Sequence, residues 1–401
     1  MKKKIISVLL SAVVCASLLA GCGSDSGQDK KDDGGSSTPA ADTADVDGED
    51  AFVLGAVAPL SGSSAVSGQV MLNAVQMAVD EINEAGGING ELPIKLVYED
   101  DEAVPANSVT VTQKLVEQSK INALIGSVPS SCTLANMEIT QKAKIPHITS
   151  CSSNITITQQ GNPYIYRMTA TDATHAKTLL KYATEALGAK TCAMINESSD
   201  FGMGAYNIVE EACADYGLEM VAHEIYNSGD TDFSVQLTKM QQTGADVFIL
   251  WGYYTETALI CQQMEQYGID TPLIGTGYNS PELTELGGSA VDGLILTTPF
   301  DAADPAEKVQ TFDKQYTELY GAGYDQNAPQ SYDAVYVLAD AVTRCMNDGA
   351  DWRDGDVLTE YIRQTELDGA TGITTFDETG EMVKDLLVIE IENGEHKIVE
   401  W

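Results

Sequence analysis

Two short hydroxyl-rich segments contain the first candidate binding residues. They span residues 126–133 and 149–154, and each follows an apolar run with the composition of a β-strand and leads into a helical pattern. Hydroxyl groups and backbone N–H groups at the start of a helix bind anionic and polar groups, although Ser and Thr at these places are also common helix caps. Because two such loops occur together, we predict half of a site for a carboxylate or another polar head group. Its candidate residues are Ser130, Ser131, Ser152 and Ser153.

Aromatic side chains stand at comparable positions later in the chain. The segments 198–202, 251–254 and 275–279 each follow a strand-like run. Aromatic rings at loop ends can pack against an apolar or planar part of a ligand, although some of these rings belong to the core. The candidate ligand-binding residues here are Phe201, Tyr253, Tyr254, Tyr278 and Asn279. The sequence leaves open which of the two adjacent tyrosines faces the ligand.

Motifs of catalysis and metal binding are absent from the sequence. There is no Gly-x-Ser-x-Gly turn and no His-Glu-x-x-His helix, and the four histidines are scattered without an evident nucleophile beside them. There is also no Cys-x-x-Cys pair or Cys/His cluster with zinc spacing. We therefore expect no catalytic residues, no metal site and no cofactor, which argues against an exported hydrolase.

The periodicity of the chain predicts the elements that carry these loops. Strand-like runs alternate with amphipathic helices, and this βα alternation occurs twice, which predicts an α/β fold of two doubly wound parallel-sheet lobes. In such sheets ligands bind beyond the carboxyl ends of the strands, where the segments above lie. We assign lobe one to residues 51–172 plus 301–373, and lobe two to residues 173–300 plus 374–401. Two tandem domains with a single linker remain the alternative.

The N-terminal residues have the pattern of an export signal. Three lysines precede an apolar run from Ile5 to Ala20, which is too short for a permanent membrane helix. The run ends Leu-Leu-Ala-Gly before Cys22, which resembles the lipobox of bacterial lipoproteins. We predict a signal peptide over residues 1–21, a lipid-modified Cys22 and a disordered acidic tether over 22–50. An ordinary secretory signal with a chance cysteine is the alternative.

The charge balance limits the classes of partner. The formal net charge is −38 at pH 7, from 60 acidic and 22 basic residues. Binding to nucleic-acid phosphates requires a basic surface, so we expect no nucleic-acid partner. Acidity at this level favours solubility of an exposed protein.

Motifs spread along the chain resemble those of the leucine/isoleucine/valine-binding protein family, which has the type I periplasmic-binding fold. They cover nearly all of the chain after the tether and include Ala56-x-x-Pro-Leu-Ser-Gly62, Gly86-Gly-Ile-Asn-Gly90, Asp200-Phe-Gly202, Gly252-Tyr-Tyr254, Tyr332-Asp-Ala334 and Thr375-Phe-Asp377. The resemblance implies two lobes joined by three crossovers, which we place near residues 170–174, 298–302 and 372–376. It also implies an ABC permease as partner and closure of the lobes on a ligand.

The resemblance assigns roles to some candidate residues. Family members commonly hold the carboxylate of an amino acid with the serine-rich loops of lobe one. They frequently hold its ammonium group with an acidic residue in the loop that here contains Gly277. Either another carboxylate, such as Glu282 or Asp333, replaces that residue, or the ligand is not a simple α-amino acid but an amide, a urea-like compound or an aromatic acid. Ser67 also stands where relatives often have an aromatic residue.

The resemblance also bears on the cysteines. The family bridges neighbouring loops near the lobe-one site, with cysteines placed somewhat differently, which implies a disulfide between Cys132 and Cys151. Cys192, Cys261 and Cys345 lie within apolar patterns and are expected in the core.

Together these features predict a monomeric, lipid-anchored solute-binding protein at the outer face of the cytoplasmic membrane, in the periplasm or at the cell exterior. It would pass a small polar ligand, with an amino acid of the branched-chain type or a related one favoured, to an ABC permease. A sensory receptor of the same fold that signals to a membrane kinase is the open alternative.

Overall fold

The structure is a computed structural model that describes residues 51–62, 64–276, 279–321 and 323–401. The predicted signal peptide, Cys22 and the tether lie outside the described residues, and so does Tyr278. No helix among the described residues combines the length and the apolar character needed to cross a bilayer.

The strands of the described chain form two main sheets and one short hairpin. The first sheet contains β1 (Phe52–Ala58), β2 (Ile94–Asp100), β3 (Ala123–Gly126), β4 (His147–Thr149) and β5 (Ile165–Arg167). The second contains β6 (Thr191–Glu197), β7 (Glu219–Tyr226), β8 (Val247–Trp251), β9 (Leu273–Thr276), β10 (Ile295–Thr298), β13 (Leu387–Glu392) and β14 (Glu395–Ile398). The hairpin pairs β11 (Glu366–Gly369) with β12 (Gly372–Thr375).

The helices connect the strands and cover the sheets. They are α1 (Ala65–Glu84), α2 (Pro105–Lys114), α3 (Ser130–Ala143), α4 (Thr156–Gln159), α5 (Asp172–Glu185), α6 (Asp200–Cys213), α7 (Ser234–Thr243), α8 (Tyr254–Tyr267), α9 (Pro281–Gly287), α10 (Glu307–Tyr320), α11 (Asn327–Asn347) and α12 (Gly355–Arg363). The periodicity predicts most of these elements, but it does not assign the short α4 and β5 or the full helix α6.

Both main sheets have the strand order of doubly wound folds. The first has the order β2-β1-β3-β4-β5 with every neighbouring pair parallel. The second has the order β14-β13-β10-β9-β8-β6-β7, in which β13 pairs antiparallel with β10. The predicted fold class, two parallel-sheet lobes of the type I periplasmic-binding kind, is confirmed.

Each sheet is buried against its own helices. Met71 and Val75 of α1 share a buried cluster with Val335 and Leu338 of α11, over the strands of the first sheet. A separate cluster surrounds the second sheet. Each lobe therefore has its own main core, in which each fully buried aliphatic side chain contributes about 1.5–3 kcal/mol.

The chain passes between the two lobes three times. The first passage joins β5 to α5, the second joins β10 to α10, and the third joins β12 to β13 over residues 376–386. The third passage therefore lies later than the predicted 372–376. The other residue boundaries assigned to the lobes stay a prediction.

Candidate functional site

The first half of the site is the N-terminus of α3. Ser130 and Ser131 are the first two residues of this helix, and no side chain caps it. The hydroxyl of Ser130 is buried and lies 3.4 Å from the backbone nitrogen of Asn154 on the neighbouring loop. The positive end of the helix dipole and a serine hydroxyl therefore meet at one place, as an anionic group requires.

Ser152 and Ser153 have different hydrogen-bond partners. The Ser152 hydroxyl lies within hydrogen-bonding distance of the carbonyl oxygens of Ser127 (3.1 Å) and Val128 (3.0 Å), and it is 1% exposed. It therefore ties the two serine-rich loops together. The carbonyl oxygen of Ser153 accepts a 2.9 Å hydrogen bond from the backbone nitrogen of Asp172, at the start of α5. Both contacts shape the loop from within the protein.

Arg167 holds the serine-rich loop that contains Ser152 in place from within the protein. Its guanidinium group is fully buried and donates to the carbonyl oxygens of Ser152 (2.7 Å) and Asn154 (2.9 Å). It also forms a 2.8 Å ion pair with Glu381, in the third passage between the lobes. Sequence reasoning missed Arg167, although a single arginine at the end of an apolar strand is a signal of this kind.

The second half of the site is aromatic. Phe201, in the first turn of α6, packs against Tyr253 with 5.3 Å between the ring centroids. Tyr254 begins α8 and is 7% exposed. Burial raises the pKa of both tyrosines, so their hydroxyl groups remain protonated and can donate hydrogen bonds.

The two halves face each other across the lobe boundary. The Asn154 side chain donates a 2.6 Å hydrogen bond to the carbonyl oxygen of Asp200, at the start of α6. Burial and the charge of Glu197 raise the pKa of Tyr253. Cys132 of α3 and Asp172 lie near enough to raise it further. The serine-rich loop and the start of α6 thus meet at the lobe boundary.

Asp172 joins the two halves and was not predicted from the sequence. Its backbone nitrogen donates to the Ser153 carbonyl oxygen, and its carboxyl group accepts a 3.3 Å hydrogen bond from the Trp251 indole, at the end of β8. Burial raises the pKa of Asp172 to about 6. One residue therefore contacts the loop of the first lobe and a strand end of the second.

Comparison with known proteins identifies the family. A family model described as a periplasmic binding protein matches residues 52–395. The chain belongs to the periplasmic binding protein family. The leucine-, isoleucine-, valine-, threonine- and alanine-binding protein of Pseudomonas aeruginosa is 27% identical over 88% of this chain and 90% of its own length.

Solved structures of periplasmic binding proteins have the same fold. The branched-chain amino acid substrate-binding protein LivJ of Streptococcus pneumoniae, in complex with isoleucine, has a TM-score of 0.80 at 30% identity and covers 87% of this chain and 99% of its own. A solute-binding protein of R. palustris in complex with benzoate also has a TM-score of 0.80, at 20% identity, covering 87% and 95%. At 20% identity, the similarity to the R. palustris protein shows a shared fold only.

These relatives are solute-binding proteins, so the comparisons confirm that this periplasmic binding protein is not an enzyme. It is a solute-binding protein of the ABC-transporter type. Among the described residues, no group of three or more His, Cys, Asp or Glu side chains is arranged to hold a metal ion.

The predicted disulfide between Cys132 and Cys151 is wrong in this structure, where both are buried free thiols. The thiol of Cys151 lies 3.3 Å from the Ser150 hydroxyl. Burial raises the pKa of both thiols, which disfavours the reactive thiolate.

Asn279 is placed at the passage between the lobes. Its side-chain nitrogen donates to the carbonyl oxygen of Phe300 (3.0 Å) and to Asp301 (2.9 Å), and its side-chain oxygen accepts from the Gln326 backbone (3.1 Å). Direct contact of this amide with a ligand therefore requires some of these bonds to break.

Of the two carboxylates considered as ammonium partners, Asp333 has other partners. It accepts hydrogen bonds from the backbone nitrogens of Ala370 and Thr371, both at 2.8 Å, in the turn between β11 and β12. Glu282 lies in the first turn of α9. Burial is the main cause of the raised pKa of Tyr254, and the charge of Glu282 raises that pKa further.

Proposed function

We propose that this chain is the extracytoplasmic solute-binding component of an ABC importer and that it captures a small polar ligand, with an amino acid as the first candidate, between its two lobes. The names of the Pseudomonas and Streptococcus relatives support this class of ligand. The observation that carries the proposal is the contact of the serine-rich loop with the start of α6, where Asn154 donates to the Asp200 carbonyl oxygen next to Phe201, which packs against Tyr253.

The mechanism that fits this arrangement is hinge closure. The ligand binds to the serine-rich loops of the first lobe, and the second lobe then adds the aromatic contacts, which exist in the closed state only. Nearly complete closure requires the closed form to bind the ligand more tightly by about 5 kcal/mol. Several hydrogen bonds and one aromatic contact supply a sum of this size. The permease then recognises the closed, monomeric protein.

A thermal-shift screen over amino acids, amides and small aromatic acids tests this function. A ligand at about 100 times its Kd stabilises the folded protein by about 2.7 kcal/mol. We expect Ser130→Ala and Tyr253→Ala to reduce the shift strongly. Matched controls are Ser289→Ala and Tyr267→Ala, since both residues are exposed in the second lobe. Equal shifts in site variants and controls would contradict the proposed site.

We also propose that the protein is anchored outside the cytoplasmic membrane through an acylated Cys22. The support is the lipobox-like sequence before this cysteine and the short apolar run that precedes it. Mass spectrometry of the protein isolated from membranes should find Cys22 as the first residue, carrying acyl chains. A mature chain that begins elsewhere and lacks lipid would contradict the anchor.

A further inference from the structure

Two cysteine thiols of the second lobe lie in contact with each other. Cys192 is the second residue of β6, and Cys213 is the last residue of α6. Their Sγ atoms are 3.8 Å apart, and the two residues are 0% and 3% exposed. Since the S–S bond of a disulfide is about 2.05 Å long, the two sulfur atoms need to approach each other by less than about 2 Å to become bonded.

Among the described residues, Cys192 and Cys213 are the only two cysteines joined by a hydrogen bond. The other four described cysteines are also buried free thiols, and that of Cys151 has the Ser150 hydroxyl as its neighbour. Small thiols are common in protein cores, so burial does not distinguish one cysteine from another. The direct contact between sulfur atoms therefore singles out one pair.

The two cysteines lie at the outer ends of a strand and of the helix that follows it. β6 ends at Glu197 and α6 begins at Asp200, so the start of the strand and the end of the helix are 21 residues apart in sequence and meet in space. A bond between them would close a ring that contains all of α6 and the loop before it. The Asp200 carbonyl oxygen, which accepts from Asn154 of the first lobe, lies within this ring.

We propose that Cys192 and Cys213 form an intrachain disulfide bond in the mature protein. The bond fastens the last turn of α6 to the second sheet and stabilises this lobe, because it restricts the unfolded chain. Disulfides form and persist outside the cytoplasm, so the inference presupposes the proposed export of the chain. It does not depend on which ligand the protein binds, and its failure would leave the solute-binding function unaffected.

A disulfide-containing oxidant, such as oxidised glutathione, accepts the electrons. The thiolate of one cysteine attacks a sulfur atom of this oxidant, which gives a mixed disulfide and releases one thiolate. The second cysteine loses its proton to water and attacks the protein sulfur of the mixed disulfide, which releases the other thiolate. Two protein thiols are thereby oxidised, and the oxidant is reduced to two thiols. Because both sulfur atoms are buried in the folded lobe, the exchange takes place during folding, before α6 packs against β6.

Mass spectrometry tests the bond directly. Cells that export the full chain are lysed in denaturant with an alkylating reagent, so that free thiols are trapped before they can oxidise. Cleavage after glutamate separates the two cysteines, because Glu197 and Glu211 lie between them. We expect peptides 186–197 and 212–219 to be linked and to separate on reduction, while the other cysteines of the folded part are alkylated. Alkylation of both Cys192 and Cys213, or a bond between other cysteines, would overturn the proposal.

Thermal unfolding provides a second test, in which each protein is measured as isolated and again after reduction and refolding with a reductant. Reduction should lower the Tm of the wild type by about 5–10 °C and leave that of Cys213→Ala unchanged. Cys261→Ala is the matched control, because Cys261 is a buried thiol of the same lobe, and it should respond as the wild type does. Each variant is compared with itself, so a loss of packing cancels. A wild type that does not respond, or a Cys213→Ala protein that responds equally, would contradict the bond.

Discussion

Arg167 is the residue on which the shape of the first-lobe loop depends. Its guanidinium group contacts two loop carbonyls, the hydroxyl of Thr158 and the carboxylate of Glu381. A buried charge of this kind is stable only while its partners remain in place, and the planar guanidinium group fits several acceptors that a lysine ammonium group does not reach together.

We expect Arg167→Lys to lower the free energy of unfolding by about 1–3 kcal/mol, because some buried acceptors lose their donor. It should also weaken ligand binding several-fold, since the loop that carries Ser152 is no longer fixed. Urea unfolding and calorimetry measure the two effects. Arg344→Lys is the control, because Arg344 also contacts a carboxylate and a carbonyl but is partly exposed. Unchanged affinity in Arg167→Lys would contradict its positioning role.

At the scale of elements, strands β3 and β4 are joined by a buried histidine. The Nε2–H group of His147 donates to the Gly126 carbonyl, and burial lowers the pKa of His147 to about 4. The unfolded-state pKa is about 6.5, so the unfolded chain takes up this proton first as the pH falls. The neutral His147 therefore contributes stability above pH 6.5 that is lost as the pH falls towards 4.

The wild type should accordingly lose about 2 kcal/mol more unfolding free energy between pH 7 and pH 5 than His147→Gln. Asp325 and Asp172 act in the opposite direction, because burial raises their pKa values to about 7 and about 6, so their contribution grows as the pH falls. The contributions of Asp325 and Asp172 are the same in the variant and the wild type, so they cancel in the comparison. Parallel pH profiles from urea unfolding would show that His147 titrates normally.

The elements also show which features of the site can be predicted from the sequence. The rule that ligands bind beyond strand ends selects Ser130 and Ser131, which the structure puts at the start of α3, and Tyr253 of the other lobe. That these residues bind the ligand stays a prediction. The role of Arg167 was not predictable in this way, because its partner Glu381 lies 214 residues away. Asp325 accepts a hydrogen bond from Ser67, which lies 258 residues earlier in the chain. Such contacts depend on three-dimensional packing, whereas local patterns reveal strands, helices and their ends only.

Helix α6 shows a different limit. The sequence presents residues 198–202 as a loop, but the helix begins at Asp200, and its buried Phe201, Ala205 and Val209 recur at helical spacing. The apolar stripe is therefore visible in the sequence, and Phe201 belongs to it.

At the scale of the whole molecule, the two lobes lie close together at Gly204 of α6. A Cβ atom at this position would lie 2.4 Å from the Asn154 side-chain nitrogen in the other lobe. Since Gly204 is helical, alanine suits its own lobe and can stabilise the ligand-free protein by up to about 1 kcal/mol. The same methyl group hinders the approach of the lobes.

We therefore expect Gly204→Ala to raise the melting temperature of the ligand-free protein slightly and to weaken ligand binding several-fold. Small-angle scattering should show less compaction at saturating ligand than in the wild type. The double variant Gly204→Ala/Asn154→Ala removes the clash and should bind as Asn154→Ala does. A Gly204→Ala protein that closes and binds normally would show that the lobes adopt another relative position when they close.

The ion pair between Arg167 and Glu381 offers a practical way to observe ligand capture. Glu381 lies in the third passage between the lobes, two residues before Val383, which is 64% exposed. Arg167 therefore connects the serine-rich loop to an exposed segment of the third passage. An environment-sensitive dye attached at Val383 would turn the protein into an optical sensor whose recognition surface keeps its native residues.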